Sequence, residues 1–437
     1  MKQQKWGIVG GGIMGMTLAH RLVQEGHKVT LFEAAPELGG LASAWKIDRF
    51  VWDKFYHVIL LSDLHTRNIL KDLELDDKIE WVETKTGFYT DGKLYSMSNT
   101  IEFLSFPPLN LIDKFRLGLT IFVASKLKNW KRLEQIPVET WLTRWSGKNT
   151  FNKIWLPLLR AKLGESYKQT STAFIWATIQ RMYAARRSGL KKEMFGYVQG
   201  GYAQILKSFE AKLVSEGVEI KTSHQASEIL SGPNSLPTLK FNNGYEGSFD
   251  QVIVTLPSRI SVNLVKGLSD LETKKHKDIE YLGVICASVV LSKSISPYYV
   301  TNITDTWVPF TGVIEMSSLV DKKNFDGDTL IYLPKYLLPT DTMFDASDKE
   351  VEELFLGALK KMYPFLTDSD IKYVGIARAR NVFALSTLGY SVNLPEVKTT
   401  IPGVYILNSA HITNGTLNVN ETIQIAENKL KEILKVK

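Results

Sequence analysis

The first 33 residues constrain this chain most. Lys5 to Val9 reads as a short buried strand, Gly10-Gly11-Gly12-Ile13-Met14-Gly15 supplies G-x-G-x-x-G, and Met16 to Gln24 places Leu18, Leu22 and Val23 at helical spacing before Gly26. A second strand, Lys28 to Phe32, ends on the acid Glu33, 23 residues after Gly10. This is the pattern of a βαβ unit that grips a dinucleotide. Gly10 permits the tight turn, Gly12 lets the backbone approach a pyrophosphate, and Gly15 lets the helix lie close on the strand. The helix N-terminus offers unpaired N–H groups to the phosphates. Glu33 is placed to accept hydrogen bonds from the adenosine ribose and to repel a 2′-phosphate. A glycine-rich structural turn is the plainer alternative; strand, helix and acid together argue against it.

Composition narrows the setting. With 437 residues, 44% hydrophobic and 23% charged, the chain can bury a large core without disulfides. A single cysteine, Cys286, excludes an intrachain disulfide and any cysteine-built metal site, so no metal centre is expected and a reducing compartment fits. The excess of 53 Lys+Arg over 46 Asp+Glu favours anionic cofactors or lipid headgroups, but no Arg-rich block suggests nucleic acid. Lys2 and Lys5 ahead of Trp6 to Ala19 imitate a secretory signal, yet the fixed glycine offsets and the missing cleavage site argue otherwise. No stretch reaches about 18 uncharged apolar residues, so a spanning helix is not expected. The expected location is cytoplasmic, with allowance for the inner face of a membrane.

The segment Gly39-Gly40-Leu41-Ala42-Ser43 would let a second piece of backbone pass close to an extended FAD, although a simple turn would use the same glycines. At these residues the chain resembles the superfamily of flavin-containing amine oxidases, protoporphyrinogen oxidases and phytoene desaturases, with UDP-galactopyranose mutase a more distant cousin. The resemblance recurs in Gly200-Gly201-Tyr202 with the helix and strand that follow, in Phe249 to Pro257, and in Pro402 to Ala410 followed by Gly415-Thr416-Leu417-Asn418 and a final helix. It implies a Rossmann-like, discontinuous FAD-binding domain with an inserted α+β substrate domain that includes a helical region. It implies cofactor contacts at Gly10, Gly12, Ile13, Met14, Gly15, Glu33, Gly39, Gly40, Leu41, Ala42, Ala226, Thr255, Asn408, Ser409, Leu417 and Asn418. Family members often carry arginine at the position of Leu41, and commonly Gly-Asp where this chain has Asn408-Ser409. Asn418-Val419-Asn420-Glu421 has the form of a cap opening the last helix, whose positive end would sit by a flavin's pyrimidine edge. With no cysteine or histidine evidently placed for a link, FAD is expected to be non-covalent.

The FAD domain is assigned to residues 1–97, 195–273 and 385–437. Residues 98–194 form a helical insertion, with helices expected over 110–128, 137–145, 149–163 and 170–187, and 274–384 an antiparallel sheet. Leu109 to Ala124 is apolar and is followed by Lys126, Lys128, Trp130, Lys131 and Arg132, the composition of a helix at a membrane interface. Asp113, Lys114 and Arg116 interrupt that surface, and a core helix with a basic end is the preferred reading. Oligomeric state is not legible.

His57, in Asp53-Lys54-Phe55-Tyr56-His57, resembles the place where relatives bring residues to the isoalloxazine and is the catalytic candidate, with a structural histidine as the alternative. Tyr56, Arg160, Arg378, Arg380 and Tyr390 are the substrate-lining candidates; Arg378 and Arg380 share one strand face. His411 is a weaker candidate, and Cys286 reads as packing. The expected activity is hydride transfer from a carbon–carbon or carbon–nitrogen bond of a lipophilic small molecule to flavin N5. The alternatives are a flavin-dependent mutase without net redox change, its diphosphate held by paired arginines, and a non-catalytic flavin-bound lipid-binding protein.

Overall fold

The computed structural model describes residues 2–184, 193–232 and 235–435. Five strands form a parallel sheet in the order Glu219–Lys221, Lys28–Phe32, Lys5–Val9, Gln251–Val254, Val404–Ile406. Their short runs of Val, Ile and Leu are covered on both sides, as parallel sheets require. On one face Ile8, Leu31 and Ile253 pack with helices Ile13–Gln24, Gly201–Ser215 and Val419–Lys435. On the other, Phe32, Val252, Val254 and Ile406 meet a three-stranded meander, Ala226–Leu230, Thr238–Phe241 and Glu246–Ser248. The chain leaves Lys5–Val9 towards one neighbour while Gln251–Val254 joins from the other side. The carboxyl ends of these central strands therefore border the crevice where such sheets bind ligands.

The second layer is a seven-stranded sheet ordered Ile371–Ala384, Tyr281–Leu291, Thr329–Leu337, Gly312–Glu315, Val300–Ile303, Thr86–Thr90, Lys93–Ser96. All eleven residues of Tyr281–Leu291 are buried, because this apolar run is flanked by two long strands. Residues 86–96, assigned from sequence to the FAD domain, belong here instead. They form a hairpin that turns at Asp91-Gly92, both at positive φ, and pairs in parallel with Val300–Ile303. Within residues 274–384 every strand pairing is antiparallel, as expected, and the hairpin adds the sheet's one parallel pairing among the described residues.

Helices Thr100–Ser105, Leu111–Lys126, Val138–Ser146 and Thr172–Ala184, with the helical run 148–163, make the third layer. That run passes through a π-helical turn, Phe151–Trp155, immediately before Pro157, whose ring cannot sit in a regular ladder. The expected helices are present; positions 185–187 of the last lie outside the described residues. Leu159, Leu163 and Tyr167 share an apolar cluster with Leu282, Phe383 and Leu385 of the long strands and the segment after them, which anchors the helices to the sheet. Among the described residues no helix is long and apolar enough to cross a membrane.

Candidate cofactor and active site

The opening turn is a cradle whose shape is set by missing Cβ atoms. Gly10 has φ +112°, and a Cβ there would lie 2.4 Å from Thr255 Oγ1. Thr255 reaches across from the neighbouring strand, donating to the carbonyls of Val9 (3.1 Å) and Gly10 (3.2 Å). A Cβ on Gly15 would lie 1.9 Å from the Gly10 carbonyl oxygen, so the helix rests directly on the turn. Gly12 is different. Its φ of −73° is open to any residue, and its nearest would-be neighbours are Gly40 Cα at 3.9 Å and Gly39 O at 4.0 Å. A Cβ on Gly12 would therefore make only ordinary van der Waals contact. Gly39 N donates to Gly11 O at 2.9 Å, which brings the second glycine pair alongside the first, with Leu41 and buried Ala42 in the short turn that follows. Ile13 and Met14 are buried in the first turn of the helix.

Glu33 accepts from Gly11 N (2.7 Å, Oε2) and Ala35 N (2.8 Å, Oε1), leaving each oxygen a further lone pair for ribose hydroxyls. His224 N donates to Glu33 O at 2.8 Å, which ties the segment leading to Ala226 against the same corner; Ala226 packs on the cluster of Val9 and Phe32. These residues fit an ADP-bearing cofactor: an acid at the ribose position, a glycine opening at the pyrophosphate position and helix N–H groups behind it.

At the tail, Asn408 is 2% exposed and its side chain is spent within the chain. Its Nδ2 donates to Leu256 O (2.8 Å) and Ser258 Oγ (3.1 Å), while Oδ1 accepts from Ala410 N (3.0 Å). It clamps two strand ends together, and its backbone closes the turn, N donating to His411 Nδ1 at 3.2 Å and O accepting from His411 N at 3.0 Å. Ser409 begins the following turn, half-buried. Asn418 caps Val419–Lys435, accepting from Glu421 N at 3.0 Å, and Leu417 packs against the helical-layer cluster.

His57 lies 3.6 Å from Asp53 Oδ2 through Nδ1, longer than a hydrogen bond, and 4.8 Å centroid to centroid from Tyr202. Asp53 is fully enclosed; burial pushes its carboxyl up, partly offset by His57 and by Tyr202 N, which donates to it at 2.9 Å. The space beside them, lined also by Trp52, Val58 and Met316, is about 10 Å³, hardly one water.

The arginines settle elsewhere than expected. Arg378 pairs with Asp348 and donates to Ala346 O, and Arg380 pairs with Asp345 and donates to Pro339 O. They do share a face, as period two requires, but that face meets the chain's own carboxylates, so they form no vacant anion clamp. Arg160 points outward to Glu165 at 3.0 Å. Tyr390 is buried and donates to Ala410 O at 2.7 Å, supporting the tail turn. Tyr56 is enclosed, its hydroxyl 3.0 Å from that of Tyr336 and its pKa pushed up to about 12 by burial.

Sequence reasoning missed Lys162. Two positions beyond Arg160 on the same helix, it faces the opposite way, with Nζ 3.2 Å from the ring centroid of Tyr336 and 5.2 Å from that of Phe383. It has no hydrogen bond or ion pair among the described residues, and burial lowers its pKa to about 7. Tyr336, Phe383, Phe174 and Leu417 all belong to or pack on one cluster, so this amine stands among aromatic faces where sheet, helical layer and tail converge.

Comparison with known proteins decides the class. A model of the flavin containing amine oxidoreductases matches residues 13–391. The chain belongs to that family. It is 21% identical over 436 residues to a 15-cis-phytoene desaturase of an Oncidium hybrid cultivar, covering 91% of this chain and 72% of the desaturase. Its fold is shared with a structure described as a candidate protoporphyrinogen oxidase from Exiguobacterium sp. 255-15 (TM-score 0.78, 18% identity, all of both chains). A reduced UDP-galactopyranose mutase shares it too (TM-score 0.75, 17% identity, 100% of this chain and 95% of that one). The protein is a flavin-dependent oxidoreductase of amine oxidase and desaturase type. The fold likeness alone, which extends to a mutase, leaves the substrate open.

Proposed function

We propose that the chain binds FAD without a covalent link and dehydrogenates a neutral, lipophilic small molecule at a carbon–carbon bond. The observation that carries this reading is the aromatic group in which Tyr336 and Phe383 face Lys162, with Tyr56 against Tyr336 and Phe174 stacked on Phe383. It presents no carboxylate to an ammonium substrate, since Asp53 is enclosed by Tyr202 and His57. Nor do Arg378 and Arg380 offer a diphosphate clamp. Gly10, Gly12, Gly15, Glu33, Gly39, Gly40 and Thr255 would hold the ADP half, with Ala226 near the adenine and the backbone at Asn408-Ser409 and Leu417-Asn418 beside the flavin. Cys286 is buried with its thiol pushed far above the usual range, which suits packing and supports non-covalent binding. When bound, flavin accepts a hydride from a carbon–hydrogen bond. Forming a double bond also releases a proton from the adjacent carbon, and Lys162 Nζ, partly neutral at pH 7, is the group we assign to take it. His57 faces a space of one water behind Tyr202 and orients rather than exchanges protons. The aromatic faces exclude water from the reacting carbons.

The test is anaerobic mixing of the FAD-loaded protein with a neutral polyene precursor, a primary amine and a UDP-hexopyranose, following the oxidised-flavin absorbance. Bleaching by the polyene alone is expected. Bleaching by the amine alone, or sugar ring contraction by pre-reduced protein, would overturn the assignment.

A further inference from the structure

The helix Leu111–Lys126 shows solvent a stripe of large apolar side chains. Leu111, Ile112 and Phe115 are 75%, 71% and 71% exposed, with Leu119 and Phe122 exposed further along, whereas Asp113, Lys114, Thr120 and Ser125 are buried. The polar side chains that interrupt the apolar surface in sequence help to anchor the helix, alongside buried Leu117 and Ala124. Asp113 accepts from Asn149 Nδ2 (2.5 Å), Lys114 Nζ donates to Leu104 O (2.6 Å), and Arg116 donates to the carbonyls of Trp145 (3.2 Å) and Arg144 (3.0 Å). Thr120 meets Ser146 at 3.0 Å. The preferred reading of a core helix with a basic end holds for one side, where Leu117 and Ala124 join the core, but a second apolar stripe faces out. It spans about 17 Å at 1.5 Å per residue. Exposed Ile101 and Leu104 of the preceding helix lengthen the patch. Continuous apolar area of this kind on a protein surface marks a contact.

Its rim selects the occupant. At the C-terminal end Lys126, Lys128, Lys131 and Arg132 are all exposed around half-buried Trp130, with Lys126 lying 5.5 Å from the Phe122 ring centroid. The acids of residues 100–132 are Glu102 and Asp113; Glu102 is tied to Ser96 (2.6 Å) and Ser98 (2.8 Å), and Asp113 is buried. A second copy of this patch would bring no free carboxylate from this segment to the four cations, whereas a phospholipid leaflet supplies acyl chains for the apolar stripe and phosphates for the rim. We infer that helices Thr100–Ser105 and Leu111–Lys126 lie on an anionic membrane surface, the apolar stripe entering the leaflet and the four cations at headgroup level. This rests on exposure and charge alone and stands apart from the substrate reading.

The test is co-sedimentation of the FAD-loaded protein with vesicles of phosphatidylcholine, with and without phosphatidylglycerol. The wild type is expected to partition onto the anionic vesicles, less so as salt rises. Joint Lys126→Gln, Lys128→Gln and Lys131→Gln should lower the partition coefficient about a hundredfold. Joint Phe115→Ala and Phe122→Ala should lower it about tenfold or more, both variants keeping their FAD. As a charge-matched control, joint Lys274→Gln, Lys275→Gln and Lys277→Gln on helix Asp270–Lys277 should bind as the wild type does. An equal loss in the control, absence of binding at low salt, or self-association abolished by Phe115→Glu without any vesicle binding would each overturn the inference.

Discussion

Two glycines three residues apart, Gly12 and Gly15, should fail in opposite ways when each receives one methyl group. At Gly15 the added Cβ would sit 1.9 Å from a backbone carbonyl oxygen, more than 1 Å inside the nearest distance real Cβ atoms adopt, and that oxygen belongs to a turn pinned by Thr255. The helix must therefore lift off the strand, an overpacking that costs about 1–3 kcal/mol or more. At Gly12 the nearest atom is 3.9 Å away and the backbone is extended, so Ala alters the free fold by about 1 kcal/mol at most. In the proposed placement of FAD the Gly12 methyl would crowd the pyrophosphate, and loosening hydrogen bonds to a charged group forfeits about 1.5–3 kcal/mol, or ten- to a hundredfold in FAD affinity. Thermal unfolding without added FAD, followed by fluorimetric FAD titration, separates the two. Gly15→Ala should unfold several degrees lower, while Gly12→Ala should hold its midpoint within about 2–4 °C and bind FAD weakly. A Gly12→Ala protein with unchanged FAD affinity would refute the placement of the pyrophosphate, and a Gly15→Ala protein as stable as wild type would refute the helix contact.

Lys162→Met should slow flavin reduction by substrate about a hundredfold and abolish the rise in rate as pH passes about 7, whereas His57→Ala should slow it less than tenfold; stopped-flow reduction across pH checks both. Because the Lys162 pKa is lowered from 10.5 to about 7 by burial, the unfolded chain binds the extra proton between those values. The resulting penalty is full below about 7 and gone above 10.5, so the midpoint difference between Lys162→Met and wild type should shrink as pH rises through that window. Arg181 grips Asp63 through two 3.0 Å hydrogen bonds in a buried site, and Arg181→Leu should cost about 3–5 kcal/mol in urea unfolding by stranding the carboxylate.

Much of the nucleotide half is legible because its rules are local. A turn that needs glycines at fixed offsets, and an acid one strand later, mark Lys5–Val9, Ile13–Gln24 and Lys28–Phe32 almost to the residue. Where a reading depends on what stands opposite, periodicity is silent. It puts Arg378 and Arg380 on one face but cannot show that Asp345 and Asp348 wait there. It separates the two sides of Leu111–Lys126 but cannot tell which faces the protein, since polar groups with good hydrogen-bond partners can be the inward side. Thr86–Thr90 was misplaced for the same reason, its partner Val300–Ile303 lying more than 200 residues away. Lys162 was overlooked in favour of Arg160, although a two-residue step on a helix reverses direction.

The pairing of Gln251–Val254 with Val404–Ile406 carries a consequence for biosynthesis. The loop Gly10 to Gly15 precedes the strand that completes its sheet by about 390 residues, roughly 20–80 s at ordinary elongation speeds. Until that strand arrives the nascent sheet has a bare edge, so a coenzyme held as proposed should be captured only after Val404–Ile406 has docked on Gln251–Val254.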